Sequence, residues 1–181
     1  MEKLRGESTI LDFDAEGDPP DLYRMFFHGN GLVPDRDGGG AKIGKTHEAL
    51  VSLGAQYPLQ RPDVKWITPI VHPNIFGGTV CLGTFSLGWT PAVTLDEFAE
   101  VLWDMCRLAI LNPHSAGPGG GEAGGQWDVL DRKYGFPVDK RPLRDKMLRS
   151  DEGSSIVRPE GAADDIVIIG DAPGICGFDE W

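Results

Sequence analysis

No apolar run in this chain comes near the roughly 20 residues needed to cross a bilayer, and the opening MEKLRGES lacks the apolar stretch of a secretory signal. A membrane-spanning or exported protein is therefore not expected, and the cytoplasm is the expected compartment. Cysteine is scarce. Cys81, Cys106 and Cys176 are never spaced as CxxC, which argues against a disulfide framework and against a zinc site. Any cysteine that matters is expected to act as a free thiol, with no metal and no cofactor. Basic residues are outnumbered, 17 Lys and Arg against 28 Asp and Glu for a net charge of −11. Without a basic patch, such a chain is repelled by phosphate backbones and anionic lipid heads, so neither nucleic acid nor membrane is an expected partner. Long helices are few as well, because 25 glycines and 14 prolines make up more than a fifth of the 181 residues.

What is present is a 40% hydrophobic chain, enough for one globular domain with an appendage. The boundary falls near residue 150. Residues 151–181 carry eight acids against Arg158 alone, a charge of −7, leaving −4 for residues 1–150. We expect a domain over residues 1–149 and an acidic, largely flexible tail over 150–181, within which Ile166-Val167-Ile168-Ile169 reads as a docking strand. That strand could add to a partner or fold back on the protein's own sheet edge.

Along the domain, β-branched and aromatic residues mark strands at 9–16 and 22–28 around the turn Gly17-Asp18-Pro19-Pro20, and alternation marks a third at 47–53. The glycine-rich 33–46 reads as a connection. Prolines at 58, 62, 69 and 73 forbid helix over 57–74 but leave a short strand at 64–67. Helix begins at Thr94, with Glu97 completing a capping box and Leu95, Phe98, Ala99, Leu102, Met105, Cys106 and Ala109 on one face. The helix ends before Asn112-Pro113. Gly117–Gly125 reads as a mobile loop, and short helices are expected at 126–134 and 141–149. Strands first and helix later imply an α+β fold, an antiparallel β-meander packed on a central helix.

Two motifs compete for the chemistry. GGAKIGKT at 39–46 matches the phosphate loop GxxxxGK(S/T), and IVIIGD at 166–171 imitates a strand ending in a magnesium-binding Asp. A phosphate loop needs a buried strand before it and a helix after it. Pro34-Asp35-Arg36-Asp37 precedes this one and an alternating segment follows, so a nucleotide hydrolase is a distant reading and a hairpin connection the better one.

The second motif set is YPLQRPDVKWITPIVHPNIFGGTVCLGTFSLGWTPAVT at 57–94. Its Tyr-Pro segment, His72-Pro73-Asn74-Ile75, Cys81-Leu82 and Trp89-Thr90-Pro91-Ala92, in this order and with eight residues from Cys81 to Trp89, resemble the catalytic core of the ubiquitin-conjugating enzymes. The resemblance spans about residues 9–113 and more loosely reaches 149; GDPPDLYRMFFHGNG and KYGFPVDKRPLR look like the bacterial branch, which serves ubiquitin-like conjugation operons, some of them linked to antiphage defence. It implies the fold of that family, with an N-terminal helix reduced or vestigial because few residues precede the first strand. The segment from Asn74 to Cys81 is one residue short of the family pattern, Val71 replaces a common tyrosine and Gly83 a common aspartate.

The resemblance implies an acyl-carrier transferase whose partners are an activating enzyme, a ubiquitin-like modifier and a target protein amine. Cys81 would carry the thioester, needing only the few per cent of thiolate that an ordinary thiol supplies. Asn74 would steady the oxyanion and adjacent loop; its alternative is a turn-forming residue after proline. Ser115, near His114, would steer the attacking amine or be a plain loop serine. His72 could serve as a base for Cys81, but the resemblance implies a structural histidine, with Pro73 and Trp89 likewise structural at the site. The rival reading is a catalytically silent module of the same fold that only holds the modifier.

Overall fold

The computed structural model describes residues 1–83, 89–113 and 124–147. Alternation in β1 (Leu11–Gly17) turns Leu11 and Phe13 inward and Asp12, Asp14 and Glu16 outward, as a strand with one solvated face must. It pairs antiparallel with the long β2 (Pro20–Pro34), which pairs with β3 (Ala41–Ser52), and β3 with β4 (Asp63–Trp66). Two-residue strands β5 (Ile75–Phe76) and β6 (Thr79–Val80) complete an antiparallel sheet in the order β1-β2-β3-β4-β6-β5. Helices α1 (Glu2–Glu7), α2 (Leu95–Cys106) and α3 (Gly124–Tyr134) follow the expected order. The fold is α+β, an antiparallel meander on the central helix α2.

Helix α2 starts where the capping box placed it, with Thr94 accepting from the Glu97 N–H and Glu97 reaching back to the Thr94 N–H. Its buried face sets Phe98, Leu102, Trp103 and Met105 against the sheet. Phe27 is sandwiched there between Trp66 and Trp103, with ring centroids 6.0 and 6.1 Å away. Burial of each such side chain contributes roughly 1.5–3 kcal/mol, so this stack anchors helix to sheet.

The strands run further than expected through the glycine-rich stretch: β2 continues to Pro34, and β3 begins at Ala41 rather than at 47. The reason is close packing. A Cβ at Gly31 would stand 2.6 Å from His47 Nε2, and one at Gly29 would collide with the Trp103 ring. These glycines make room within strands instead of bending the chain. The distal halves of β2 and β3 bury Leu32 and Ala41 in a second apolar cluster with Leu108 and with Trp127 of α3.

Helix α1 is six residues long and packed: Leu4 is fully buried and Met1 rests on the core. Of the expected helix over 141–149, residues 145–147 are helical. Residues 148–150, the tail, its strand at 166–169 and most of Gly117–Gly125 lie outside the described residues.

Arg144 joins three elements by pairing with Glu7 of α1 and with Asp96 and Glu100 of α2. Burial alone would raise the Asp96 carboxyl, but hydrogen bonds from Thr94 and Arg144 outweigh it and hold the group below its usual range. Arg144→Ala leaves three carboxylates facing one another; a partly exposed network of this kind is worth about 2 kcal/mol, or a melting temperature lower by roughly 4 to 8 °C. The Asp96 share of that difference is present above pH 3.8 and is lost as pH falls through the lowered folded value. Thermal denaturation of both proteins from pH 7 to 3 checks this: the gap should narrow at the acid end, and a constant gap would assign the loss to packing.

Candidate active site

The turn His72-Pro73-Asn74 is buried, and its side chains reach across to the segment that follows α2. The His72 ring makes two contacts, Nε2 3.1 Å from the Ile110 carbonyl and Nδ1 accepting the Asn74 N–H at 3.0 Å. That pair of partners sets the tautomer: Nε2 carries the proton and Nδ1 the lone pair. With both nitrogens engaged, the ring has no lone pair to offer Cys81. Burial pushes its pKa down to about 4, against the pull of the Ile110 hydrogen bond.

Asn74 is fully buried, its Oδ1 accepting the Asn112 N–H at 2.8 Å and its Nδ2 donating to the Asn112 carbonyl at 3.1 Å. The carboxamide therefore grips residue 112 in the manner of a strand partner. The Asn74 carbonyl in turn accepts the Cys81 N–H at 2.8 Å. Cys81 is half-buried between Val80 and Leu82, both buried. Cys106 is a free cysteine buried inside α2.

The backbone of 110 and 112 is placed by the end of α2. Leu108 adopts φ +60, the left-handed conformation glycine usually supplies, yet its side chain is buried in the second cluster. The turn closes with the Ala109 N–H on the Asp104 carbonyl at 2.8 Å. Leu108 was not foreseen, and while the resemblance implied a His72 tied to backbone and an Asn74 steadying the adjacent loop, it did not indicate residues 110 and 112 as their partners. Trp89 donates from Nε1 to the Pro58 carbonyl at 2.8 Å and meets Phe98 edge-on at 5.9 Å, which ties the 57–58 loop to α2. Ser115 and His114 lie outside the described residues.

The phosphate-loop motif is placed in a hairpin. Lys45 is on β3, where its Nζ donates to Asn30 Oδ1 at 2.6 Å, and the chain runs on as strand through Ser52. A groove of about 500 Å³ is lined by Pro34, Ile67, Ile70, Ile75 and Gly78, and neither the 72–74 turn nor Cys81 is among its walls. Among the described residues no group of three or more His, Cys, Asp or Glu could hold a metal ion, and no helix is long and apolar enough to cross a membrane.

The His72 pKa makes stability pH-dependent. The unfolded chain takes up a proton near pH 6.5 and the folded one only near 4, so stability is complete above 6.5 and declines through that window. The full effect is about 3 kcal/mol. Urea denaturation at pH 7 and 4.5 reads the loss, and ¹⁵N signals of His72 should keep the neutral Nε2–H pattern down to about pH 4. Titration of that ring near 6.5 would refute the buried clasp.

The ubiquitin-conjugating enzyme family model matches residues 43–135. The chain is 43% identical over 49 residues to ubiquitin-conjugating enzyme E2 PEX4 of Gibberella zeae, covering 26% of this chain and 28% of that one. It is 33% identical over 93 residues to ubiquitin-conjugating enzyme E2 pex4 of Dictyostelium discoideum, covering 50% of this chain and 59% of that one. Human ubiquitin-conjugating enzyme E2 G1 aligns in structure with a TM-score of 0.42 and 21% identity, over 58% of this chain and 92% of that one. The matched stretches thus span from about a quarter to three fifths of these curated relatives. With half of its length under the family model and the His72-Pro73-Asn74 turn clasped beside Cys81, the chain belongs to the ubiquitin-conjugating enzyme family.

Proposed function

We propose that this protein is a cysteine thioester carrier that accepts a ubiquitin-like modifier from an activating enzyme and passes it to an amine of a target protein. The observation that carries the reading is the setting of Cys81, half-buried and backbone-bonded to Asn74 in a turn locked to residues 110 and 112. In the first step the Cys81 thiolate attacks the modifier's thioester carbonyl, and the activating enzyme's cysteine leaves as thiolate. In the second, an amine attacks the same carbonyl, Cys81 leaves as thiolate and the amine's proton passes to solvent. Thioester exchange is nearly balanced in energy, so no triad is needed. The engagement of both His72 nitrogens is consistent with that economy.

Asn74 acts on the second step. Its grip on residue 112 supports a role in holding the loop beside Cys81, and a donor amide there would also stabilise the oxyanion. We further propose that residues 1–149 form the catalytic domain and that the setting is a bacterial ubiquitin-like conjugation pathway in the cytoplasm. Neighbouring genes for an activating enzyme and a modifier ending in glycine would test the pathway.

The charging test mixes the reduced chain with such an activating enzyme, modifier and ATP, then reads a gel run without reductant. A reductant-sensitive band is expected in the wild type and absent in Cys81→Ala; a band that persists in the variant overturns the reading. A wild type that binds modifier but never forms the band would be the silent binding module. For Asn74→Ala, charging should survive while discharge of the purified thioester to lysine slows roughly 10²-fold. Unchanged discharge by a folded variant would restrict Asn74 to the fold.

A further inference from the structure

Helix α2 gives way to a residue in an unfavourable conformation for its type. Leu108 takes φ +60, where glycine is the usual choice because a Cβ crowds the following carbonyl. It is nevertheless 1% exposed, its side chain packed with Leu32 and Ala41 of the β2–β3 hairpin and with Trp127 of α3. We infer that Leu108 is a positioning residue for the transfer step: its side chain, seated in the second cluster, fixes the backbone that His72 and Asn74 hold beside Cys81. The inference rests on the carrier reading given above and adds to it the part of the fold that sets the site.

The path from residue 108 to the site is short. The turn is closed on both sides, the Ala109 N–H bonding the Asp104 carbonyl and the Val138 N–H bonding the Arg107 carbonyl, each at 2.8 Å. Two residues beyond Leu108, the Ile110 carbonyl lies 3.1 Å from His72 Nε2, and Asn112 is spanned by the Asn74 carboxamide. The other side of the clasp is tied to the same cluster: Val71, next to His72, packs against it, and its N–H donates to the Leu32 carbonyl at 2.8 Å. Both sides of the clasp therefore bear on one apolar seat. Of residues 107–113 Leu108 alone is buried, whereas Ile110 and Leu111 are only partly so.

The two chemical steps differ in what they ask of this loop. Charging exchanges one thiolate for another and is nearly balanced, so it tolerates a loosely held backbone. Discharge needs the approach of the amine and a donor for the oxyanion to coincide, and a displacement of about 1 Å there can cost up to about 10²-fold. Loss of the anchor should slow discharge far more than charging.

The test compares Leu108→Gly, Leu108→Ala and Leu108→Met in the full chain. Glycine removes the side chain and relieves the backbone, alanine removes the side chain and keeps the backbone cost, and methionine keeps an apolar side chain of similar volume. Purified thioesters of both truncations should discharge to lysine roughly 10-fold more slowly, in kcat rather than in the KM for lysine, although the glycine variant should melt at a higher temperature than the alanine variant. Leu108→Met should restore most of the rate. Leu11→Ala, a cut in the main core on β1 at the far edge of the sheet, should lower the melting temperature and leave discharge unchanged. Without any activating enzyme, the Asn112 amide proton should exchange roughly 10-fold faster, relative to the slowest amides of β2, in both truncations. Discharge at the wild-type rate by a folded Leu108→Gly, discharge that simply follows melting temperature across the four variants, or unaltered Asn112 exchange would overturn the inference. If neither truncation folds, Leu32→Val, which thins the same seat from β2, takes their place under the same criteria. A wild type that never charges refutes the carrier reading, and the Asn112 exchange then still decides whether Leu108 seats the clasp.

Discussion

Two side chains from one buried turn hold the backbone that leaves α2. His72 is bonded to the Ile110 carbonyl, and Asn74 spans the N–H and carbonyl of residue 112. These bonds join segments almost forty positions apart, and Cys81 hangs from the same turn through its own N–H. A net hydrogen bond is worth about 1 kcal/mol, but leaving these buried groups unpaired would cost 1–3 kcal/mol each. The clasp is therefore maintained chiefly by the penalty of opening it, and the geometry beside Cys81 is inherited from it.

The anchor for the clasp lies in the second apolar cluster. Leu108 accepts a left-handed backbone at a cost of about 1 kcal/mol or more, offset by burial of its side chain with Leu32, Ala41 and Trp127. A glycine there would relieve the backbone but let the turn swing. Through this residue the long β2–β3 hairpin and α3 bear on residues 109–113, although neither approaches them in sequence.

Much of the architecture could be read in advance because it is local. Thr94 and Glu97 announce a helix start within one turn, and alternation in 11–17 states which side chains face inward. The order of motifs around Cys81 pointed to the family before any coordinates. The unread parts depend on contacts distant in sequence. The second strand was expected to stop at 28, because nothing local tells that Trp103 and His47 fill the space above Gly29 and Gly31. Strands of two residues carry no periodicity, so β5 and β6 were missed. Arg144 was one cation among many until folding brought Glu7, Asp96 and Glu100 to it. At the site, the carboxamide of Asn74 and the ring of His72 were recognised as types, but their partners are backbone atoms that no motif records.

Strand β2 contributes Met25 and Phe27 to the main core and Leu32 to the second cluster. One strand thus crosses both, and its pairing with β3 shifts register between His28 and Gly31, where it passes from one cluster to the other. A bulge bends a strand locally and leaves the ladder intact on either side, so the two clusters are coupled through β2 yet meet at a bend, and amide protons on either side of it should exchange with solvent more slowly than those within it. The chemistry at Cys81 is carried on a frame whose two halves share one strand.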